Sequence, residues 1–222
     1  MTKHFLRDLE RLEDEVLRLA ERVEVALDNA LAAILARDVG LAAGVIEGDL
    51  EIDRREVELE EDALKILALH APVAADLRYL VAVIKINSDL ERIGDIAGNI
   101  AARAIDLDGM PPVGAPDRFD VMARSARTMV REAIRALVHR DPALARKVMA
   151  DDDKVDGLQT EILGAVEQAM RATPDAIGAL MRWGSVVRNV ERIADQATNI
   201  AEDVIYMEEG VIVRHRAADS RR

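Results

Sequence analysis

The chain has 222 residues, half of them hydrophobic, with 42 acids against 30 basic residues and a formal charge of −12. That apolar content excludes a disordered tail protein, and the acidic balance excludes a nucleic-acid partner, since phosphate backbones require clustered Lys and Arg. The absence of cysteine rules out disulfides, thiolate metal sites and cysteine nucleophiles.

Aromatic residues are scarce: one Trp, two Tyr and two Phe. The core must therefore be Ala, Leu, Ile and Val, a composition that suits helices better than sheets. The N-terminus lacks a long apolar region, so no secretory leader is expected. No stretch of about 18 uncharged apolar residues occurs, so no transmembrane segment is expected and the location is read as cytoplasmic. The basic concentration at Arg214, Arg216, Arg221 and Arg222 reads first as a frayed terminus and second as an anionic-surface contact.

In chain order, Leu6, Leu9, Val16, Leu19, Val23, Leu27, Ala30 and Ile34 form the apolar stripe of a first helix. Asp38-Val-Gly40 breaks it. A second helix is predicted from about Leu41 to His70, ending at Ala71-Pro72, and a third from Pro72 to about Leu107. The stretch Asp108 to Pro116 holds three of the six prolines and no helical period, which marks it as a linker. Helices are then predicted over 117–140, 142–172 and 174–209, with Asp141-Pro142 and Thr173-Pro174 as N-cap and first helical residue, and Gly210 as the stop. Val211-Ile-Val213 is β-branched but too short to form a strand alone. The expected fold is all-α: two tandem three-helix bundles over 1–108 and 117–210, joined by a linker at 109–116 and followed by a tail at 211–222.

The sequence repeats itself. Glu91 to Ala101 recurs as Glu191 to Ala201 with eight of eleven positions identical. Such a period suits a duplicated domain rather than a solenoid. Both copies carry Glu, Asp and Asn at i, i+4 and i+8, which share one helix face. The second helix of each half adds another acidic pair, Asp49/Asp53 and Asp152/Asp156, and in the first half the row continues through Glu56 and Glu60. Antiparallel neighbours would bring Asp49, Asp53, Glu91 and Asp95 together in one half and Asp152, Asp156, Glu191 and Asp195 in the other. Like charges at i,i+4 destabilise a helix by roughly 0.2–0.5 kcal/mol per pair, so the repetition makes sense if a cation offsets it. Oxygen-only ligands favour Mg²⁺, Ca²⁺, Mn²⁺ or oxidised iron. The plainer alternative is a solvated, salt-bridged face, with Arg92 and Arg192 one residue away. Asn99 and Asn199 are read either as further ligands or as hydrogen-bonding groups between helices.

Enzyme signatures are thin. None of His4, His70, His139 and His215 follows a Glu by three residues, and there is neither a phosphate-binding glycine loop nor H-E-x-x-H. His70 and His139 read as helix C-terminal caps, and Trp183 as core. No active site is expected.

At Leu90 to Ile100, at Val190 to Glu202 and at Ala71-Pro72-Val-Ala-Ala-Asp76-Leu-Arg78, the chain resembles the PhoU family. The resemblance covers nearly the whole chain and extends to Asp49–Asp53 and Asp152–Asp156. It implies two tandem three-helix bundles and a cytoplasmic negative regulator of phosphate uptake and phosphate-starvation signalling. The partners implied are the ATPase component of a phosphate ABC importer and a sensor histidine kinase. It also implies multinuclear metal clusters, iron in particular, on the eight carboxylates named above. Ala194 replaces the glycine of the motif, and Gln196 stands where many relatives have His, so no histidine is carried over to the second set. The leading expectation is an adaptor and not an enzyme. A carboxylate-rich metalloprotein with a storage or redox role is the alternative, and a structural scaffold the third. Alanine-rich faces on long helices point to a homodimer.

Overall fold

The computed structural model describes residues 3–213; the basic tail beyond, with His215, lies outside the described residues. Six α-helices are found among them: α1 (Lys3–Ala36), α2 (Val39–His70), α3 (Ala74–Asp108), α4 (Phe119–His139), α5 (Pro142–Ala172) and α6 (Ile177–Glu209), with a 3₁₀ turn at Pro174–Ala176. α1, α2 and α3 pack on one another, as do α4, α5 and α6. The fold is all-α, two tandem three-helix bundles. None of the described helices is long and apolar enough to cross a membrane.

Helix ends follow local chemistry. Asp38 accepts from the Leu41 amide at 2.9 Å and caps α2, while Asp141 accepts from Ala143 and Leu144 at 2.9 and 3.0 Å and caps α5 ahead of Pro142. Gly210 terminates α6 at φ 70°, a left-handed conformation that glycine adopts without strain. The other predicted starts are corrected. Thr173 makes no side-chain cap, and Pro174 opens a 3₁₀ turn rather than α6. Pro72 is not the first residue of α3: Ala71 and Ala74 have φ 42° and 51°, and Val73 between them is extended, so the chain reverses before the helix starts. Val211–Val213 is irregular. At the start of α1 the buried residues are Phe5 and Leu12, with Leu6 exposed and Leu9 half-buried, so the stripe begins one residue off the expected register.

The two halves bury the same pattern. Val16, Leu19, Ala20, Val23, Leu27, Ala30 and Ile34 are buried on α1, and so are Phe119, Met122, Ala123, Ala126, Val130, Ala133 and Leu137, each 103 positions on, in α4. Ala42, Val45, Ile52 and Leu59 of α2 correspond likewise to Ala145, Val148, Val155 and Ile162 of α5. Trp183 is in the core, edge-on to Phe119 at 5.1 Å.

The halves meet through α3 against α6, the most extensive helix pair in the molecule, and through α1 against α4. Both pairs run antiparallel. Lys85 reaches Asp203 at 3.1 Å and Arg182 reaches Asp106 at 3.6 Å, so advancing along α3 means retreating along α6. Arg127 pairs with Asp28 and Arg131 with Glu24 in the same sense. These pairs define a pseudo-twofold that exchanges the halves. Helices α2 and α5 touch only their own bundle and form the two outer flanks.

Candidate metal centre

Each acidic set lies where an outer helix crosses its inner partner. In the first half one carboxylate oxygen from each of Asp49 and Asp53 on α2 and Asp95 on α3 lies within 4.8 Å of the other two. The sequence makes this approach available at two positions. A Cβ at Gly98 would sit 3.5 Å from Asp49 Oδ2, and one at Gly94 would sit 3.3 Å from Asp49 Oδ1. The backbone of α3 therefore forms a bare cradle against the Asp49 carboxylate. Asp49 Oδ1 is buried and has no hydrogen-bond partner among the described residues.

The electrostatics agree. Burial, then the charges of Asp53 and Asp95, push the Asp49 carboxyl up to about 6. Burial and the neighbouring Asp95, Asp53 and Glu56 raise Glu91, against a smaller opposing effect of Arg92. Glu56 is raised by burial and by Glu60 and Asp53. The salt-bridged-face alternative expects arginines here, but they turn elsewhere. Arg92 reaches Asp89 at 3.5 Å, and Arg54 and Arg55 hold Glu51 at 2.5 and 3.1 Å. Among the described residues none of the eight predicted carboxylates has an ion-pair partner, although ion pairs are plentiful over the rest of the surface.

The second half repeats the site with a variation. Burial, then the charges of Asp156 and Asp195, push Asp152 up to about 6, with the Thr198 side chain acting the other way. Glu191 is raised by burial and by Asp195, Asp156 and Asp152, and Asp195 by burial and Asp156, each against an opposing effect of Arg192. Asp152 Oδ1 is likewise buried without a hydrogen-bond partner among the described residues. No trio in this half meets the 4.8 Å spacing found in the first, among the described residues. Ala194 and Thr198 stand at the positions of Gly94 and Gly98, so a methyl and a hydroxyl occupy what is bare backbone in the other half. Asn99 is exposed and Asn199 half-buried.

Sequence spacing pointed to Asp49, Asp53, Glu91 and Asp95 in the first half, of which Asp49, Asp53 and Asp95 come within 4.8 Å of one another, but it missed the glycine cradle. The signal was present in the first copy as Gly94 and Gly98, one helical turn apart and flanking Asp95. His70 is held by Asp8 at 3.1 Å and its ring lies tilted against Phe5, centroids 5.1 Å apart, so it ties α2 to α1. The residues fit a hard cation: the donors are all oxygen, one is buried and orphaned in each half among the described residues, and burial together with mutual repulsion disfavours the ionised carboxylates unless a positive charge offsets them.

The fold recurs in known proteins. The PhoU domain family matches residues 16–104 and 119–204. The phosphate-specific transport system accessory protein PhoU homolog of Aquifex aeolicus is 39% identical over 210 residues, 95% of each chain. Its counterpart in Pseudomonas aeruginosa is 36% identical, over 97% of this chain and 89% of the relative. The crystal structure of PhoU from Pseudomonas aeruginosa superposes with a TM-score of 0.90, covering 93% of this chain and all of that one at 35% identity. The phosphate transport system regulatory protein PhoU from Streptococcus pneumoniae superposes with 0.88 at 25% identity, over 94% and 99% of the two chains. Both repeats and the helix order are thus accounted for together: the chain belongs to the PhoU family.

Proposed function

We propose that this protein is a cytoplasmic negative regulator of phosphate uptake and phosphate-starvation signalling, an adaptor between the ATPase component of a phosphate ABC importer and a sensor histidine kinase. The support is membership of a family whose relatives are phosphate-transport accessory proteins along the whole chain. The observation that carries the site is the pair of acidic crossings, each with a buried carboxylate oxygen that has no hydrogen-bond partner among the described residues.

Metal clusters belong to this proposal. Asp49, Asp53, Glu91 and Asp95 would hold ions in the first half, and Asp152, Asp156, Glu191 and Asp195 in the second, with iron, Mg²⁺, Ca²⁺ and Mn²⁺ as candidates. Bound cations supply positive charge. The carboxylates of α2 and α5 are then held against α3 and α6 instead of being repelled by them, which fixes the outer helices on the inner pair. The role is structural and regulatory rather than catalytic.

The test is deletion of the gene and its complementation in phosphate-replete cells. Deletion is expected to raise phosphate uptake and phosphatase expression, and the wild-type gene to restore both. Unchanged uptake and expression would rule out the regulatory reading. Elemental analysis of the purified protein, beside a variant with alanine at Glu91, Asp95, Glu191 and Asp195, tests the clusters. Equal metal content in the two proteins would remove them.

A further inference from the structure

The duplication supplies an internal control for the surface, and the halves differ at one place. On α2, Val39, Ile46, Leu50, Val57 and Leu64 are exposed, from 37% at Val39 to 75% at Leu50. At 3.6 residues per turn these five positions fall within about 40° of one another, so they form one stripe along the helix. Single exposed apolar residues need no explanation, but a continuous stripe does. The equivalent positions of α5 are Pro142, Met149, Asp153, Thr160 and Glu167, and α5 carries no exposed large apolar residue. The two helices bury matching residues inward and share the acidic row, so the fold and the acidic crossings account for neither stripe nor difference. α2 contacts only α1 and α3, which leaves the stripe uncovered.

The surrounding charge selects the occupant. Between Glu47 and Asp62 there are nine acids and two arginines. Both arginines are engaged by Glu51, and Arg55 also lies 3.6 Å from Glu15 and 3.7 Å from Glu58. Asp53 and Glu60 border the stripe on one side, and Glu61 and Glu47 on the other. A second copy docked here would set this acidic helix against itself, and an anionic membrane surface would repel it. A helix with an apolar stripe flanked by Lys and Arg satisfies both parts of the surface.

We infer that the outer face of α2 between Val39 and Leu64 docks a cationic amphipathic helix of a partner protein. The stripe is about 38 Å long, enough for roughly seven turns of partner helix. The inference rests on the adaptor reading for the existence of a partner protein, and it assigns docking to the first half alone. A homodimer would use another face.

The test uses the full chain and a fluorescent 25-residue peptide with Leu at heptad a and d positions and Lys beside them, followed by anisotropy. The decisive variant carries Leu50→Asp, Val57→Thr and Leu64→Glu, the residues α5 itself uses. It should unfold within a few degrees of wild type, because all three positions are exposed. It should bind the peptide on the order of 100-fold more weakly although it is more acidic, because apolar burial is lost. The reciprocal variant Asp153→Leu, Thr160→Val and Glu167→Leu should raise the stoichiometry from one peptide to two. Absence of peptide binding by wild type, or equal affinity in the Leu50 triple variant, overturns the inference. So does wild-type self-association in sedimentation, or binding to phosphatidylglycerol vesicles, that the triple variant abolishes. None of these outcomes alters the deletion phenotype, so the adaptor reading stands or falls separately.

Discussion

Gly94 of α3 and Ile52 of α2 fit each other so closely that a Cβ at 94 would lie 3.1 Å from both Cδ1 and Cγ2 of Ile52. In the second half the same positions hold Ala194 and Val155. One methyl has moved from the outer helix to the inner one, and the crossing is preserved by exchange of volume. Gly94→Ala alone is therefore expected to destabilise the protein by about 1 kcal/mol, because overpacking costs about 1–3 kcal/mol and helix propensity returns up to about 1. That is a fall of about 2–4 °C in Tm for a chain of this size. Adding Ile52→Val reproduces the second half and should restore Tm. A Gly94→Ala protein more stable than wild type, with Ile52 intact, would show that the close approach is not a constraint.

Lys85 on α3 and Asp203 on α6 tie the two bundles together at 3.1 Å, and Asp203 is 2% exposed. Lys85→Met removes the cation that reaches this buried carboxylate from the other bundle and should cost about 1–3 kcal/mol in denaturant unfolding. The double variant with Asp203→Asn should recover part of the loss. Additive effects of the two substitutions would mean that the pair is not coupled.

Much of this architecture was legible in the sequence because it rests on local rules. The 3.6-residue period, the Asp141-Pro142 cap and the i,i+4 carboxylates are each decided within a few residues. The features that escaped depend on neighbours distant in sequence. Asp49 is partly buried while Asp53 four residues on is exposed, because Gly94 and Gly98 open the backbone against one carboxylate and not the other. Pro72 misled because a proline suits either a first helical residue or a turn, and here two left-handed alanines bracket it. The exposed stripe of α2 escaped because counting apolar residues assigns them all to a core. It shows only when α2 is set against α5, where Asp153, Thr160 and Glu167 stand at the positions of Leu50, Val57 and Leu64.

The raised carboxyls fix the sign of the pH dependence. Burial and the neighbouring carboxylates push Asp49 and Asp152 up to about 6 in the fold, against about 3.9 for an ordinary Asp. The native state therefore binds more protons than the unfolded chain between about pH 4 and 6, and stability falls as pH rises through this window. Chelator-treated protein should melt at higher temperature at pH 5.5 than at pH 7.5. Further acidification reverses the trend when Glu51 and Glu209, held low by Arg54 and Arg146, become protonated. A Tm that climbs steadily from pH 5.5 to 7.5 would contradict this account.

Asp49→Asn distinguishes a repelled ligand from a structural partner, because the two predict opposite signs. In chelator-treated protein at pH 7.5 the amide removes a charge that burial, Asp53 and Asp95 all oppose, so Tm should rise. With metal present the order inverts. A ligand at 100 times its Kd stabilises the fold by about 2.7 kcal/mol, which is about 5–10 °C here, and the variant should lose most of that increment together with bound metal. Asp152→Asn should behave in the same way with a smaller metal increment, since its half does not close to the 4.8 Å spacing. If Asp49→Asn lowers Tm equally with and without metal, Asp49 is a structural partner of α3, and the unsatisfied oxygen over Gly94 and Gly98 is not a cation ligand.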